Sequence, residues 1–409
     1  MKFFFPDSQD MISPAYDFIN DEYPAWRVRQ RDDRYAHEVL PIPYDGILVS
    51  KAIVDGSLKG AGKYSTPQRE RLYRLGVREF FRLPQHVTTL GDCGAFNYID
   101  EYKPPYTVDE VLDFYEGCGF DLGVSVDHVI FGYDKDAGPE DGEKAWRDRR
   151  EISLDYADDF FKAVTSRSAT VQPVGAAQGW SPTSYADSVE KLQGMGYRRI
   201  ALGGMVPLKT IEILDCLKEI DKVRQATTEL HLLGITRVDS MSLFAEHGVT
   251  SFDSTSAFRQ SFMDDRDNYH TLETTYAAIR VPQVDGNPAL KRQILSGAVE
   301  QAEAISQERA CLGALREYDK GQADIEEALS ALESYESLVN ANSPKKKSYM
   351  PAYRRTLEDA PWGKCPCRLC ETYRIEMVIF RGTERNKRRG FHNLSVLAAK
   401  MHALPAVAG

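Results

Sequence analysis

Residues 170–204 read TVQPVGAAQGWSPTSYADSVEKLQGMGYRRIALGG. Thr170–Gln178 is a short apolar run of strand length, Tyr185–Met195 has amphipathic helical spacing, and Arg199–Gly204 is strand-like again. The stretch therefore predicts one β-α-β unit with parallel strands. The same alternation runs from about residue 45 to 255. Further strands are expected at Gly46–Val54, Thr88–Cys93, Leu122–Ile130, Glu229–Ile235 and Val249–Asp253, and further helices at Val108–Gly117, Lys209–Thr227 and Asp239–His247. In the first of these helices Val108, Val111, Leu112 and Tyr115 recur at three to four, acidic residues fall between them, and Thr107 with Glu110 fits a capping box. An eighth strand near Tyr276–Val281 would close the set into an α/β barrel of the TIM type, which the strand count favours over an open sheet.

The rest of the chain reads differently. The barrel is expected over residues 1–286. Residues 287–341, rich in Glu and Ala with almost no strand formers, predict a helical insertion. A break at Asn342-Ser343-Pro344 and a Lys345–Lys347 run open a basic, zinc-binding subdomain over 342–392, and 393–409 supplies the final barrel helix and tail. In all, 409 residues allow about two or three compact units, and a hydrophobic fraction of 42% with a charged fraction of 27% excludes a disordered chain. No apolar run approaches the ~18 residues of a membrane span. Net charge is -10, but residues 342–409 hold 14 Lys and Arg against 5 Asp and Glu, leaving 37 against 56 in residues 1–341. The average describes neither part. An odd set of seven cysteines, behind an N-terminus whose short aromatic run lacks a signal-peptide core, points to a reducing, cytoplasmic setting, or a host's cytoplasm if the source is viral.

Three of those cysteines, Cys365, Cys367 and Cys370, fall within six positions, with His392 beyond them. Three thiolates and one imidazole make a closed tetrahedral set, so one structural Zn²⁺ per chain is expected. The alternative is three reduced cysteines in a loop beside an unrelated histidine, an oxidation liability without a packing use. Arg374, Arg381, Arg385, Lys387, Arg388 and Arg389 lie between or near these ligands and would form a metal-anchored face for a phosphate backbone, the bland alternative being a solvated charged surface. Asp92, Asp127, Gln178, Gly203-Gly204 and Asp253 sit where predicted strands give way to loops. In a barrel of this type such positions converge on one mouth, where two carboxylates can divide nucleophilic and proton-transfer work at an anomeric carbon. Singly, an Asp at such a place could equally cap a helix.

These residues resemble the motifs of the tRNA-guanine transglycosylases. Cys365, Cys367, Cys370 and His392 match the family's Cys-x-Cys-x-x-Cys and distant His, with a shorter final spacing. Asp92-Cys93-Gly94-Ala95-Phe96-Asn97 is similar to its Asp-Ser-Gly-Gly-Phe-Gln motif. Gln178-Gly179, Leu202-Gly203-Gly204 and Phe252-Asp253-Ser254 resemble its Gln-Gly, Leu-Gly-Gly and Phe-Asp-Cys segments. The resemblance implies base exchange in a nucleic acid. Asp253 would be the nucleophile at C1′ of a guanosine, giving a covalent ribosyl-aspartate, and Asp92 the general acid and base. Asp127, Gln178, Gly203 and Gly204 would bind the base, and Phe96 would stack on it. Such an enzyme must take its target out of the stack.

Departures surround the substrate contacts. Asp253 is followed by Ser254-Thr255-Ser256-Ala257-Phe258 instead of a Pro-Thr-Arg segment. Lys63-Tyr64-Ser65-Thr66-Pro67 replaces a Gly-Asn-Thr-Tyr-His signature, and Met205-Val206-Pro207 follows Gly204 where the family has Gly-Glu. They resemble the divergent branch that inserts 7-deazaguanines of the cyano (preQ0-like) or amidino type into DNA. DNA is thus the favoured partner and tRNA the second. A third reading is a non-catalytic subunit that only binds nucleic acid, against which the retained Asp92 and Asp253 argue. Duplex opening could call for a helper protein, and the helical insertion could form a homodimer interface or a clamp.

Overall fold

The computed structural model of the chain describes residues 1–6, 9–57, 60–340 and 348–404. Eight short strands, β1 (Lys2–Pro6), β2 (Gly46–Ser50), β3 (Thr88–Asp92), β4 (Leu122–Val124), β5 (Gln172–Ala177), β6 (Arg199–Leu202), β7 (Glu229–Leu232) and β8 (Val249–Asp253), pair in parallel into a closed barrel. Its order is β1-β8-β7-β6-β5-β4-β3-β2. The α/β barrel of the TIM type is therefore present, but the closing strand is not the one expected. It is β1, whose Phe3, Phe4 and Phe5 are all buried because a parallel strand in a barrel is covered on both faces. Tyr276–Val281 instead supplies two short pairings: Thr275–Tyr276 antiparallel to Tyr269–His270, and Ile279–Arg280 parallel to Ile379–Phe380.

The connecting helices follow the periodicity with shifted ends. Val108–Cys118 is a helix, its Thr107 hydroxyl accepting from the Glu110 N–H and Gly119 ending it in the left-handed region. The helix expected at Tyr185–Met195 starts earlier, at Pro182, behind a Ser181 cap. Lys209–Thr227 shortens to Thr210–Asp221, and Asp239–His247 becomes a 3-10 turn, Val238–Ser240, leading into Met241–Glu246. The run Gly46–Val54 divides into β2 and a short helix Lys51–Asp55, and Leu122–Ile130 is strand only as far as Val124.

Inside the barrel Phe4, Leu48, Leu90, Val124, Val174, Ala176 and Ala201 form the core layer. Because side chains alternate with period two, the positions two residues further on, Ser50, Asp92, Gln178 and Gly203, face inward at the strands' C-terminal ends. The register sets Ser50 opposite Asp92 and Phe4 opposite Asp253. Apolar packing below and polar groups above thus follow from one alternation.

The chain divides into two compact units. One holds Met1–Ser8, Tyr44–Thr255 and Ala398–Gly409, which is the barrel; the other holds Gln9–Pro43 and Ser256–Leu397. The barrel unit is thus smaller than the expected 1–286. The predicted helical insertion is present as Pro288–Leu295, Gln301–Asp319 and Ile325–Val339, with Val284, Leu290 and Ala304 buried together, but it belongs to the second unit. The boundary expected at 392/393 falls inside one continuous helix, Gly382–His402, whose last residues belong to the barrel unit. There His402 reaches Asp45 at 2.9 Å. Asn342-Ser343-Pro344 and Lys345–Lys347 lie outside the described residues. Among the described residues no helix is long and apolar enough to cross a membrane.

Candidate active site and metal-binding cluster

Asp92, the last residue of β3, is partly buried at the barrel mouth. Its Oδ2 accepts from the Ser50 hydroxyl at 2.8 Å and from the Gly94 N–H at 3.0 Å. Burial first, and then the charge of Asp127, push its carboxyl up to about 7; Asp253 adds to the push while the Ser50 and Gly94 hydrogen bonds oppose it. Asp127, just past β4, is buried and also raised by burial, against the pull of hydrogen bonds from Cys93, Gln178 and the backbone. The Cys93 thiol donates to its Oδ1 at 3.2 Å and the Gln178 amide to its Oδ2 at 2.6 Å.

Gln178, the residue after β5, is locked in place: its Oε1 accepts from the Ile130 N–H at 3.2 Å and its carbonyl accepts from the Ser188 hydroxyl at 2.8 Å. The two glycines after β6 make room for it. A Cβ on Gly203 would lie 2.1 Å from Gln178 Nε2, and one on Gly204, at φ +75, would lie 2.2 Å from the Ile130 carbonyl. Position 204 therefore demands glycine, while a side chain at 203 would displace the Gln178 amide. The Gly203 N–H is used by the Ala177 carbonyl at 3.0 Å, so its part in the site is steric.

Asp253 ends β8 and is buried. Its Oδ1 accepts from the Gly234 N–H at 3.0 Å and lies 3.2 Å from His231 Nε2, while His231 Nδ1 lies 2.9 Å from the Ser251 hydroxyl. Neither His231 nor Ser251 was singled out from the sequence. The available signal was a histidine between the buried Leu230 and Leu232 of one strand. Phe96 stands in the 3-10 turn Ala95–Tyr98 and is 54% exposed; its ring is 5.4 Å from that of Phe131, another exposed aromatic that the sequence reading passed over. Exposed aromatics after strand ends are what a stacking platform requires.

A cavity of about 480 Å³ opens at the other end of the barrel, among the strands' N-terminal residues. Within its lining Arg78 pairs with Asp121 at 2.9 Å and Arg199 with Glu229 at 2.8 Å. In barrels of this type that face serves stability.

In the second unit Cys365, Cys367, Cys370 and His392 come together, with His392 Nδ1 at 3.7, 3.4 and 3.5 Å from the three sulfurs in that order. A tetrahedral zinc with Zn–S of ~2.3 Å and Zn–N of ~2.1 Å would set sulfur and nitrogen ~3.6 Å apart, so the donors fit such an ion. His392 Nε2 donates to the His270 carbonyl at 2.7 Å, which leaves Nδ1 as the ligand nitrogen. Tyr269 stacks on the imidazole at 4.3 Å and its hydroxyl lies 3.1 Å from Cys370 Sγ. All four donors come from the protein and can hold one metal ion.

The expected basic face takes another form. Arg381, Arg385, Arg388 and Arg389 are buried. Arg381 pairs with Asp21 at 2.5 Å and Glu308 at 2.6 Å; Arg385 pairs with Glu376 at 2.6 Å and also with Asp21; Arg388 pairs with Glu384. Arg389, its guanidinium pulled down to about 9 by burial and then by Arg385, donates to backbone carbonyls of Ser261, Met377 and Ile379. Lys387 is mostly covered and pairs with Asp10 at 3.2 Å, and Arg374, half exposed, pairs with Asp319 at 3.2 Å. Arg389 apart, these cations neutralise acids within their own unit, since an interior charge needs an ion pair or, as at Arg389, a full set of hydrogen bonds. The four buried arginines cannot meet a phosphate backbone as placed.

No family model matches the chain. It is 49% identical over 400 residues, 97% of its length and 95% of the relative's, to a protein of Salmonella montevideo named DNA-guanine transglycosylase. With the barrel, the mouth residues and the Cys3His cluster in place, this likeness shows that the chain belongs to the guanine transglycosylase family of pentosyltransferases.

Proposed function

We propose that the chain replaces guanine in DNA by a 7-deazaguanine through a covalent ribosyl-aspartate, in DNA the 2′-deoxyribosyl ester. The observation that carries this reading is the pair of carboxyl groups at the mouth, one anchored by a backbone N–H and one holding a proton near neutral pH. Asp253 attacks C1′ from the face opposite the base, forming a C1′–O bond as C1′–N9 breaks. The N9 electron pair takes the proton of Asp92, and guanine leaves neutral. In the second displacement the incoming base gives its N9 proton to Asp92, its nitrogen attacks C1′, and the C1′–O pair returns to Asp253. Two inversions restore the β-linkage.

Asp127 is suited to accept the N1–H and N2–H of the guanine edge. Gln178 spends one amide proton on Asp127 and keeps the other for O6. Phe96 stacks on the extruded ring. Cys365, Cys367, Cys370 and His392 would hold zinc with protein donors alone, and the ion would tie its segment together rather than act in these steps. The name of the Salmonella relative supports DNA as the substrate.

The test is to mix the protein with duplex DNA, single-stranded DNA or tRNA and labelled 7-cyano-7-deazaguanine. Label in DNA is expected. Label in tRNA alone overturns the proposal, label in single-stranded but not duplex DNA assigns strand opening to a helper protein, and binding without exchange favours a non-catalytic subunit.

A further inference from the structure

Resting on Asp253 as the nucleophile, we infer that His231 is a positioning residue that chooses which oxygen of Asp253 reacts and stabilises that carboxylate when it departs. His231 bridges Ser251 and Asp253, and all three belong to the inner face of adjacent strands, β7 and β8, with Ser251 in register with His231. Histidine and aspartate are both buried, so the contact is made in a low-dielectric setting. With Asp253 acting as a carboxylate, which only accepts, His231 Nε2 is the donor to Oδ1, and in the neutral imidazole Nδ1 accepts from the Ser251 hydroxyl.

Oδ1 thus takes two donors, the imidazole N–H and the Gly234 N–H. Oδ2 has neither, and is the oxygen left to form the bond to C1′. When the incoming base breaks that bond, the electron pair returns to the carboxylate and its charge spreads onto Oδ1, where both donors already point. Such preorganised donors act on the step that develops charge. Their loss should slow departure of Asp253 more than its attack.

The variants are His231→Phe, which keeps ring bulk without a donor, His231→Gln, which keeps an N–H at comparable reach, and Ser251→Ala. Guanine release, label incorporation and the denaturation-resistant protein–DNA adduct are followed together. Incorporation by His231→Phe is expected to fall ~10²-fold, with guanine release falling less, so that adduct accumulates; His231→Gln should recover to within ~10-fold, and Ser251→Ala should lie between. Native rates in His231→Phe, or equal losses in His231→Phe and His231→Gln without adduct, would overturn the role. An adduct formed by Asp253→Asn would instead overturn the nucleophile assignment itself, whatever the His231 variants do.

Discussion

Asp92 stands between two hydrogen-bond donors and two like charges, and the balance leaves both of its protonation states populated near neutral pH. In the proposed exchange, guanine departure needs the acid and base entry needs the carboxylate. Single-turnover guanine release is therefore expected to fall, by up to about tenfold per pH unit, above about pH 7. Asp127→Asn removes the second-largest cause of the shift, so its alkaline limb should move to lower pH, which a pH–rate profile checks. The same shift acts on stability. A carboxyl raised in the folded state binds more protons there than in the unfolded chain, so stability is lost as pH rises from about 4, where the unfolded group titrates, through about 7. Asp92→Asn should accordingly melt higher than the native protein at pH 8 and not at pH 4. At this scale Asp92, Asp127 and Asp253 were legible as polar residues at strand ends. His231 was not, because a lone histidine in a strand says nothing of the carboxylate that the next strand brings to it.

At the scale of elements, the βα alternation was readable because period-two and period-3.6 patterns are local. Thr107 with Glu110 marked a helix start, and the helix begins there. β1 was missed for the opposite reason: its pairing partners Gly46 and Asp253 are distant in sequence, and a five-residue aromatic strand carries no alternation. The turn after β6 is similar. Two glycines read as a motif, and the structure adds that Gln178 lies against them. Gly203→Ala should displace that side chain and weaken base binding by roughly 10- to 100-fold, the cost of one or two recognition hydrogen bonds, with melting little changed. Titration with the free base, alongside a melting curve, separates the two effects.

For the whole molecule, the uneven charge takes on a different meaning. The basic C-terminal region is internally compensated by Asp21, Glu308, Glu376 and Glu384. Arg385→Ala would leave Asp21 to Arg381 alone and Glu376 to Arg316 alone, and should cost up to about 3 kcal/mol in urea denaturation. It should leave the salt slope of DNA binding unchanged, since no phosphate contact is lost. Cys367→Ser, or chelation, should release one zinc per chain and unfold the surrounding segment, read by metal analysis and circular dichroism. What the sequence determined by itself was whatever short-range spacing encodes: the barrel's repeated units, the Cys3His donor set and the carboxylates at strand ends. Which strand closes the barrel, which arginines are interior and which donors grip Asp253 were decided only by the tertiary structure, because each depends on residues that folding brings together from distant parts of the chain.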